Sequence, residues 1–486
     1  MIRILPLTIA ERLDFYHQSH LLTGWDELTP QQQTAFAAQL ESVDFDELTD
    51  LLTQQKSSLA ANAETPAQRA YRARPPGSLV RLPQTVAERA EWKAAEQRGE
   101  ELLRAGKVGA ILVAGGQGTR LGYDHPKGMY PLGPVSDAPL FQLLCEQLLA
   151  RARRAGQAIP YYIMTSDATH AETVEFFEQQ NFFGLPPADV YFFQQGNMPA
   201  VDAQTGELLL SGPGQLAMSP DGHGGLLEAL LRAGLLEDMQ QRGIEYLYYH
   251  QVDNPLAIVC DPGYLGWHEQ SGAEVSTKVI AKCSAAEKMG IAVDVDGVTQ
   301  IIEYSDLPDE VAQRTTAAGE LELWAGSTAI HIFSREFLDR LAQGQWQLPF
   351  HIAHKAVPSY VPGAGLQTPA RPNAYKFERF IFDVLPQASK ALIVEADRTR
   401  EFNPLKNADG VHSPHDVRRS LVHLHRGWAQ QAGWEIPDGV PVEISSLVAL
   451  DAVEFGERVG RQIPPAKSDR GWLWARLPAE VGESAE

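Results

Sequence analysis

From residue 108 onward, short apolar runs and amphipathic stretches take turns, and this alternation constrains the fold more than any other feature. VGAILVAGG, PYYIMTS, VYFFQQG, IEYLYYHQVDN and EVSTKVIAK read as strands, bounded by turn formers. Residues 139–155, residues 170–179 and GGLLEALLRAG carry helical spacing between them. Such alternation predicts an α/β domain built on a mainly parallel sheet. Ligands of these sheets sit beyond the carboxyl ends of the strands. The segments leaving those ends are therefore where chemistry is expected: the glycine-rich loop after residue 113, QQG (194–196) and VDN (252–254).

A chain of 486 residues is too long for one hydrophobic core. Residues 1–65 show helical spacing in ERLDFYHQSHLL and QQQTAFAAQLESV, residues 65–86 read as a strap, and 88–107 as a helix ending near Gly106. The expected division is a helical N-terminal region with its strap (1–100), a main domain (101–385) and a C-terminal region (386–486). The formal net charge of -21 leaves no basic surplus for a nucleic-acid backbone, so no nucleic-acid partner is expected. No apolar run reaches the ~18 residues of a membrane span, and the N-terminus lacks a secretory signal's apolar core. A cytoplasmic location is expected. Cys145, Cys260 and Cys283 are too few and too dispersed for a disulfide framework or zinc site and read as buried thiols.

Two phosphate-binding patterns fail on the loop AGGQGTRLGYDHPKGMYPLG. Walker A needs Gly-Lys-Ser/Thr, but Lys127 lies between Pro126 and Gly128. The dinucleotide fingerprint needs glycine where Leu121 stands. What remains is a loop with two cations seven residues apart, which suits a nucleoside triphosphate. Gly115, Gly116 and Gly118 permit positive φ and close approach of backbone N–H groups to phosphate oxygens. Arg120 offers a forked donor to a leaving pyrophosphate, and Lys127 a point charge to the phosphorus under attack.

AGGQGTRLG followed by HPKGMYPLG resembles the signature of the UDP-sugar pyrophosphorylases, in the branch of the eukaryotic-type UDP-N-acetylglucosamine enzymes. The resemblance continues through MSPDGHGGLLEAL (218–230), QVDNPLAIVCDPGYLG (251–266), VTQIIEYSDLP (298–308), AYKFERFIFDVLP (374–386) and EFNPLKNADG (401–410). It implies a Rossmann-like nucleotidyltransferase, with a mixed, mainly parallel sheet flanked by helices. It implies attack of a sugar 1-phosphate on the α-phosphorus of UTP, giving a UDP-sugar and pyrophosphate with Mg²⁺ as cofactor. The carried-over catalytic residues are Arg120, Lys127, Lys376 and Lys406. The nucleotide would meet Ala114, Gly115, Gly116, Gly118, Thr119, Gln195 and Gly222. The sugar would meet His223, Gly290, Glu303, Ser327, Phe380 and Phe382. Asp253 would hold the metal, whereas Asp261, directly before Pro262, reads as a helix N-cap.

His223 and Ser327 stand where N-acetylglucosamine enzymes usually carry asparagine, so a UDP-glucose or broad-specificity enzyme is the alternative. A silent nucleotide-sugar-binding regulator is the alternative of another class. Phe380 and Phe382 alternate as strand residues would, compatible with packing as well as ligand contact. The pairs His351/His354 and His412/His415 lack the glutamate of a zinc motif and read as ordinary helix or loop residues.

Overall fold

The computed structural model describes residues 8–60, 64–344 and 348–476. Contacts group the chain into two units. The larger draws on Pro66–Gln194, Leu227–Trp346 and Val384–Glu486, the smaller on Met1–Thr65, Gln195–Leu226 and Gln347–Asp383.

The larger unit is built on a ten-stranded sheet. Its strands are β1 (Leu79–Val80), β2 (Val108–Val113), β3 (Tyr161–Thr165), β4 (Val190–Gln194), β5 (Tyr246–Gln251), β6 (Val275–Ala281), β7 (Ile291–Val295), β8 (Val298–Ile302), β9 (Ala325–Ser334) and β10 (Ala391–Glu395). The order is β1-β10-β6-β9-β5-β2-β3-β4, with the β7–β8 hairpin joined to β9 at Ile291 and Gly326. β2 and β3 are apolar on both faces because helices cover both, and they are almost entirely buried. Pairing is parallel from β5 through β2 and β3 to β4, and again among β6, β10 and β1. Only β9 runs antiparallel to β5 and β6 between those blocks. The carboxyl ends of β2, β5, β6 and β10 and the start of β9 therefore share one edge of the sheet.

The helices begin where their caps predict. Thr85 and Glu88 form a capping box for Val86–Arg104, and Asp261 caps Pro262–Ser271 through the N–H of Gly263. These two helices cross backbone to backbone: a Cβ on Gly266 would lie 1.7 Å from the Ala95 carbonyl oxygen. Gly266→Ala is expected to destabilise by several kcal/mol through forced separation, read as a fall in the thermal unfolding midpoint. The C-terminal stretch folds as the helix Pro414–Gln431, a small sheet (Val442–Ile444, Ala466–Ser468, Gly471–Trp474) and the helix Ala452–Arg458. Phe455 and Trp474 lie in its core.

The smaller unit contains the helices Ile9–Phe15, Pro30–Ser42 and Phe45–Ala60 and a sheet of Phe350–Lys355, Ala374–Arg379 and Val201–Asp202. Phe36, Leu40, Val201 and Phe377 form its centre.

Four local expectations are corrected. Positive φ occurs at Gly122 in the phosphate loop, but Gly116 and Gly118 do not adopt it. Phe380 and Phe382 follow the end of their strand, Phe382 lying in the 3-10 helix Ile381–Gln387. His351 and His354 lie on the strand Phe350–Lys355. Cys283 is exposed, whereas Cys145 and Cys260 are buried. No described helix is long and apolar enough to cross a membrane.

Candidate functional site

The glycine loop leaves β2 and is pinned at its start. Ala114 N–H donates to the Met164 carbonyl at 2.8 Å, and Ser166 Oγ donates to the Gly115 carbonyl at 2.8 Å. Farther on it closes on itself: Gly118 N–H donates to His125 O at 2.9 Å and Lys127 N–H to Gly116 O at 3.0 Å. This narrow ladder, with Gln117 opposite Pro126, leaves outward-facing amides. Among the described residues, the N–H groups of Gly116, Gln117, Thr119 and Arg120 have no internal acceptor, and all four residues are exposed. Such a run of unsatisfied donors suits an anion. The glycines serve by being small. A Cβ on Gly118 would lie 2.7 Å from the Tyr123 carbonyl oxygen, while the space beside Gly116 is open. Arg120 is exposed and Lys127 half-buried.

Register brings Asp253 to the same place. Gln251 of β5 pairs with Val113 of β2, and Val252 N–H donates to the Val113 carbonyl at 3.0 Å. Asp253 therefore emerges beside the first glycines of the loop. Leu405 N–H donates to the Asp253 carbonyl at 2.7 Å, which carries Lys406 to this edge from a point far along the chain. Among the described residues no three His, Cys, Asp or Glu side chains gather as a metal site. A single carboxylate is what Mg²⁺ needs when phosphates supply its other oxygens.

Gly290, Glu303 and Ser327 come together at the same edge of the sheet. Ser327 N–H donates to the Gly290 carbonyl at 2.8 Å, and a Cβ on Gly290 would meet Glu303 Oε1 at 2.9 Å. Asp261 holds the structural place expected for it, capping its helix and pairing with Lys278 at 2.6 Å.

The remaining candidates belong to the smaller unit. Gln195 is buried. Asp221 N–H donates to the Gly196 carbonyl at 3.0 Å, which sets Gln195 and Gly222 on neighbouring chains. Gly222 needs to be glycine, with φ +86 and a would-be Cβ 2.5 Å from the Arg379 carbonyl oxygen. His223 packs on Phe380 and Phe382, at centroid distances of 5.4 and 5.9 Å. Burial, followed by the neighbouring His351, pushes the His223 pKa down to about 4. The imidazole is thus neutral near pH 7. Its Nδ1 accepts from Ile381 N–H at 3.1 Å, so the proton resides on Nε2, a donor where asparagine would present an amide. His351 packs against Phe380 at 4.4 Å and pairs with Asp383 at 2.7 Å. Lys376 is half-buried on the strand Ala374–Arg379, opposite Ala353.

Residues of the C-terminal stretch also hold the chain at 131–136, where the glycine-rich loop ends. Buried Glu443 accepts from Val135 N–H (2.7 Å), Ser136 N–H (2.8 Å) and Ser136 Oγ (2.6 Å). Arg418 donates to the Pro131 carbonyl at 2.8 Å. No local pattern marks either residue, since each acts on chain some 300 positions away. A cavity of about 870 Å³, lined in part by Lys93, Arg154, Arg400, His423 and Trp428, contains none of the candidate residues.

The chain is similar to known proteins over most of its length. The family model described as UTP–glucose-1-phosphate uridylyltransferase matches residues 70–431. The chain is 37% identical to the human UDP-N-acetylhexosamine pyrophosphorylase-like protein 1, covering 91% of this chain and 89% of that one. It is 35% identical to the UDP-N-acetylglucosamine pyrophosphorylase of Saccharomyces cerevisiae, covering 91% and 95%. Among solved structures, the uridine diphosphate N-acetylglucosamine pyrophosphorylase of Trypanosoma brucei, crystallised with an inhibitor, superposes with a TM-score of 0.82 at 26% identity, covering 98% and 100%.

Proposed function

We propose that this chain, which belongs to the UTP–glucose-1-phosphate uridylyltransferase family, transfers the uridylyl group of UTP to a sugar 1-phosphate, with N-acetylglucosamine 1-phosphate preferred. A phosphate oxygen of the sugar attacks the α-phosphorus of UTP. The bond to the bridging β-phosphate oxygen breaks, its electron pair leaves with pyrophosphate, and a UDP-sugar results. One phosphoanhydride replaces another, so the reaction should run readily in both directions. The observation that carries this reading is the shared sheet edge of the open-amide loop, Asp253 and Lys406, joined by the Gln251–Val113 register and the Leu405–Asp253 hydrogen bond.

Little covalent work is asked of the protein; alignment and charge neutralisation supply most of the acceleration. In this reading the amides of Gly116, Gln117, Thr119 and Arg120, with the Arg120 guanidinium, take the departing pyrophosphate oxygens. Lys127 and Lys406 neutralise charge around the α-phosphorus, and Lys376, on the smaller unit, is assigned to the phosphates by resemblance alone. Gln195 and the backbone of Gly222 read the uracil edge, distinguishing it from cytosine by donor and acceptor order. Asp253 would hold Mg²⁺, and the ion when bound would supply positive charge to the phosphates. Glu303 accepts from sugar hydroxyls, while Phe380 and Phe382 are assigned to the sugar by resemblance alone. The relatives' names favour an N-acetylhexosamine, while the two residues that replace asparagine, His223 and Ser327, make glucose the competitor.

Pyrophosphate release from UTP and Mg²⁺ across glucose, galactose, N-acetylglucosamine and N-acetylgalactosamine 1-phosphates tests the reading. We expect the highest kcat/KM with N-acetylglucosamine 1-phosphate. Higher turnover with glucose 1-phosphate would replace that substrate, and no release with any of the four would overturn the activity.

A further inference from the structure

Lys278 is the buried charge that the phosphate chemistry does not use. It lies on β6, only 2% exposed, with its ammonium 2.6 Å from Asp261 Oδ2 and hydrogen-bonded to Glu401 Oε2. Desolvation opposes the ammonium, yet the two carboxylates hold it protonated and raise its pKa. A buried ion cluster is not by itself a source of stability, because desolvation consumes most of the Coulombic gain. Its value has to be sought in what it fixes.

Glu401 opens the stretch that ends at Lys406. The Glu401 carbonyl accepts from Asn254 Nδ2 at 2.8 Å, and Asn254 Oδ1 accepts from Asn403 N–H at 3.2 Å. Leu405 N–H then donates to the Asp253 carbonyl at 2.7 Å, and Lys406 N–H to the His412 carbonyl at 2.8 Å. Residues 401–406 are thus stitched to 253–254, and the ion cluster fastens the start of the stitching to the sheet. Arg398, at the head of the same segment, donates to the Ala281 carbonyl at 3.1 Å and pairs with Glu287, in the loop that leads to Gly290.

We propose that Lys278 is a positioning residue for uridylyl transfer, acting through Glu401 to hold Lys406 and Asp253 in their working geometry. The proposal rests on the function assigned above. It explains why a lysine is kept in the sheet where a branched apolar residue would pack without cost in desolvation.

Glu401→Gln is the gentler test, since it leaves Lys278 paired one-to-one with Asp261 and keeps a hydrogen-bonding group in place. Lys278→Met leaves two carboxylates facing each other and is the harsher one. Glu401→Gln should lower kcat by on the order of 10- to 100-fold, the usual effect of losing support behind a metal-holding carboxylate. The KM for the sugar phosphate should be nearly unchanged. In a Lys406→Ala background the same substitution should cost clearly less, because one of the two groups it positions is already gone. Amide exchange at Leu405 and Lys406 should quicken in both single variants. Equal losses in the two backgrounds, or full activity with unchanged exchange at these amides, would overturn the proposal. A wild-type protein inactive on every sugar phosphate would instead sink the functional reading, and the exchange measurement would still report whether Lys278 holds the segment.

Discussion

Asp253→Asn is expected to reduce kcat for uridylyl transfer by on the order of 1000-fold, the scale seen when a group stabilising transition-state charge is removed. The fold should survive. What the structure asks of position 253 is its backbone: the carbonyl receives Leu405 N–H, and the neighbouring Val252 N–H reaches Val113. Asparagine preserves both. Among the described residues the Asp253 carboxylate has no ion-pair partner, and the residue is only half-buried, so the unfolding midpoint should shift by no more than a few degrees. The neutral amide is a poor ligand for a hard cation carrying phosphates. Raising Mg²⁺ should restore at most part of the rate, since saturation recovers lost affinity and not the carboxylate's charge, whereas a variant that only weakened metal affinity would recover fully at high Mg²⁺. Steady-state kinetics over a Mg²⁺ series, paired with thermal denaturation, separates these cases. Near-normal kcat would remove Asp253 from the chemistry.

The legible and illegible parts of this molecule divide by the range of the interactions behind them. β2, β3 and β4, the helix His170–Gln179 and the Asp261 cap depend on neighbours within a few residues, and their signals are in plain view. The loop after β2 was read as a phosphate cradle from its glycines and two cations, but the structural reason for those glycines was not legible. Positive φ was expected of them, whereas the crowding of Gly118 by Tyr123 arises only when the loop folds back. The strand assigned to Phe380 and Phe382 failed for a similar reason. Period-two spacing there meets the 3-10 turn at Ile381, where the backbone N–H bonds to His223 instead of to a neighbouring strand.

Long-range organisation was the least visible. Nothing in residues 195–226 or 347–383 announces that they pack with the N-terminal helices, because the sheet joining Val201–Asp202 to Ala374–Arg379 spans more than 170 positions. The same holds for Glu443 bound to residues 135–136 and for Lys278 paired with Glu401. Resemblance located the atoms assigned to phosphate, base and sugar. It said nothing of the residues that hold them still, since those act through folded geometry and carry no motif of their own.

Lys127→Ala carries the second large effect, a fall in kcat/KM of about 100- to 1000-fold. Its argument begins with what alanine would leave intact. Lys127 N–H donates to the Gly116 carbonyl, a main-chain bond that closes the loop whatever side chain follows. Its neighbours anchor independently: Pro126 pairs across from Gln117, and Gly128 lies so close to the Phe141 ring that a Cβ there would sit 2.2 Å away. The open amides of Gly116, Gln117, Thr119 and Arg120 should therefore still present themselves, and UTP should still bind through them, with a modest rise in KM. On the reading proposed above, the lost quantity is a compact positive charge beside the α-phosphorus while negative charge builds in the transition state. Lys127→Arg should not restore the rate, because a planar fork has a different reach and spreads the charge that an ammonium concentrates. Binding of UTP by calorimetry, set beside kcat, distinguishes this from a collapsed loop. Collapse would abolish binding and rate together, whereas retained binding with lost turnover is the signature of a charge needed at the moment of transfer. An alanine variant that turns over like the wild type would mean that the α-phosphorus finds its cation elsewhere.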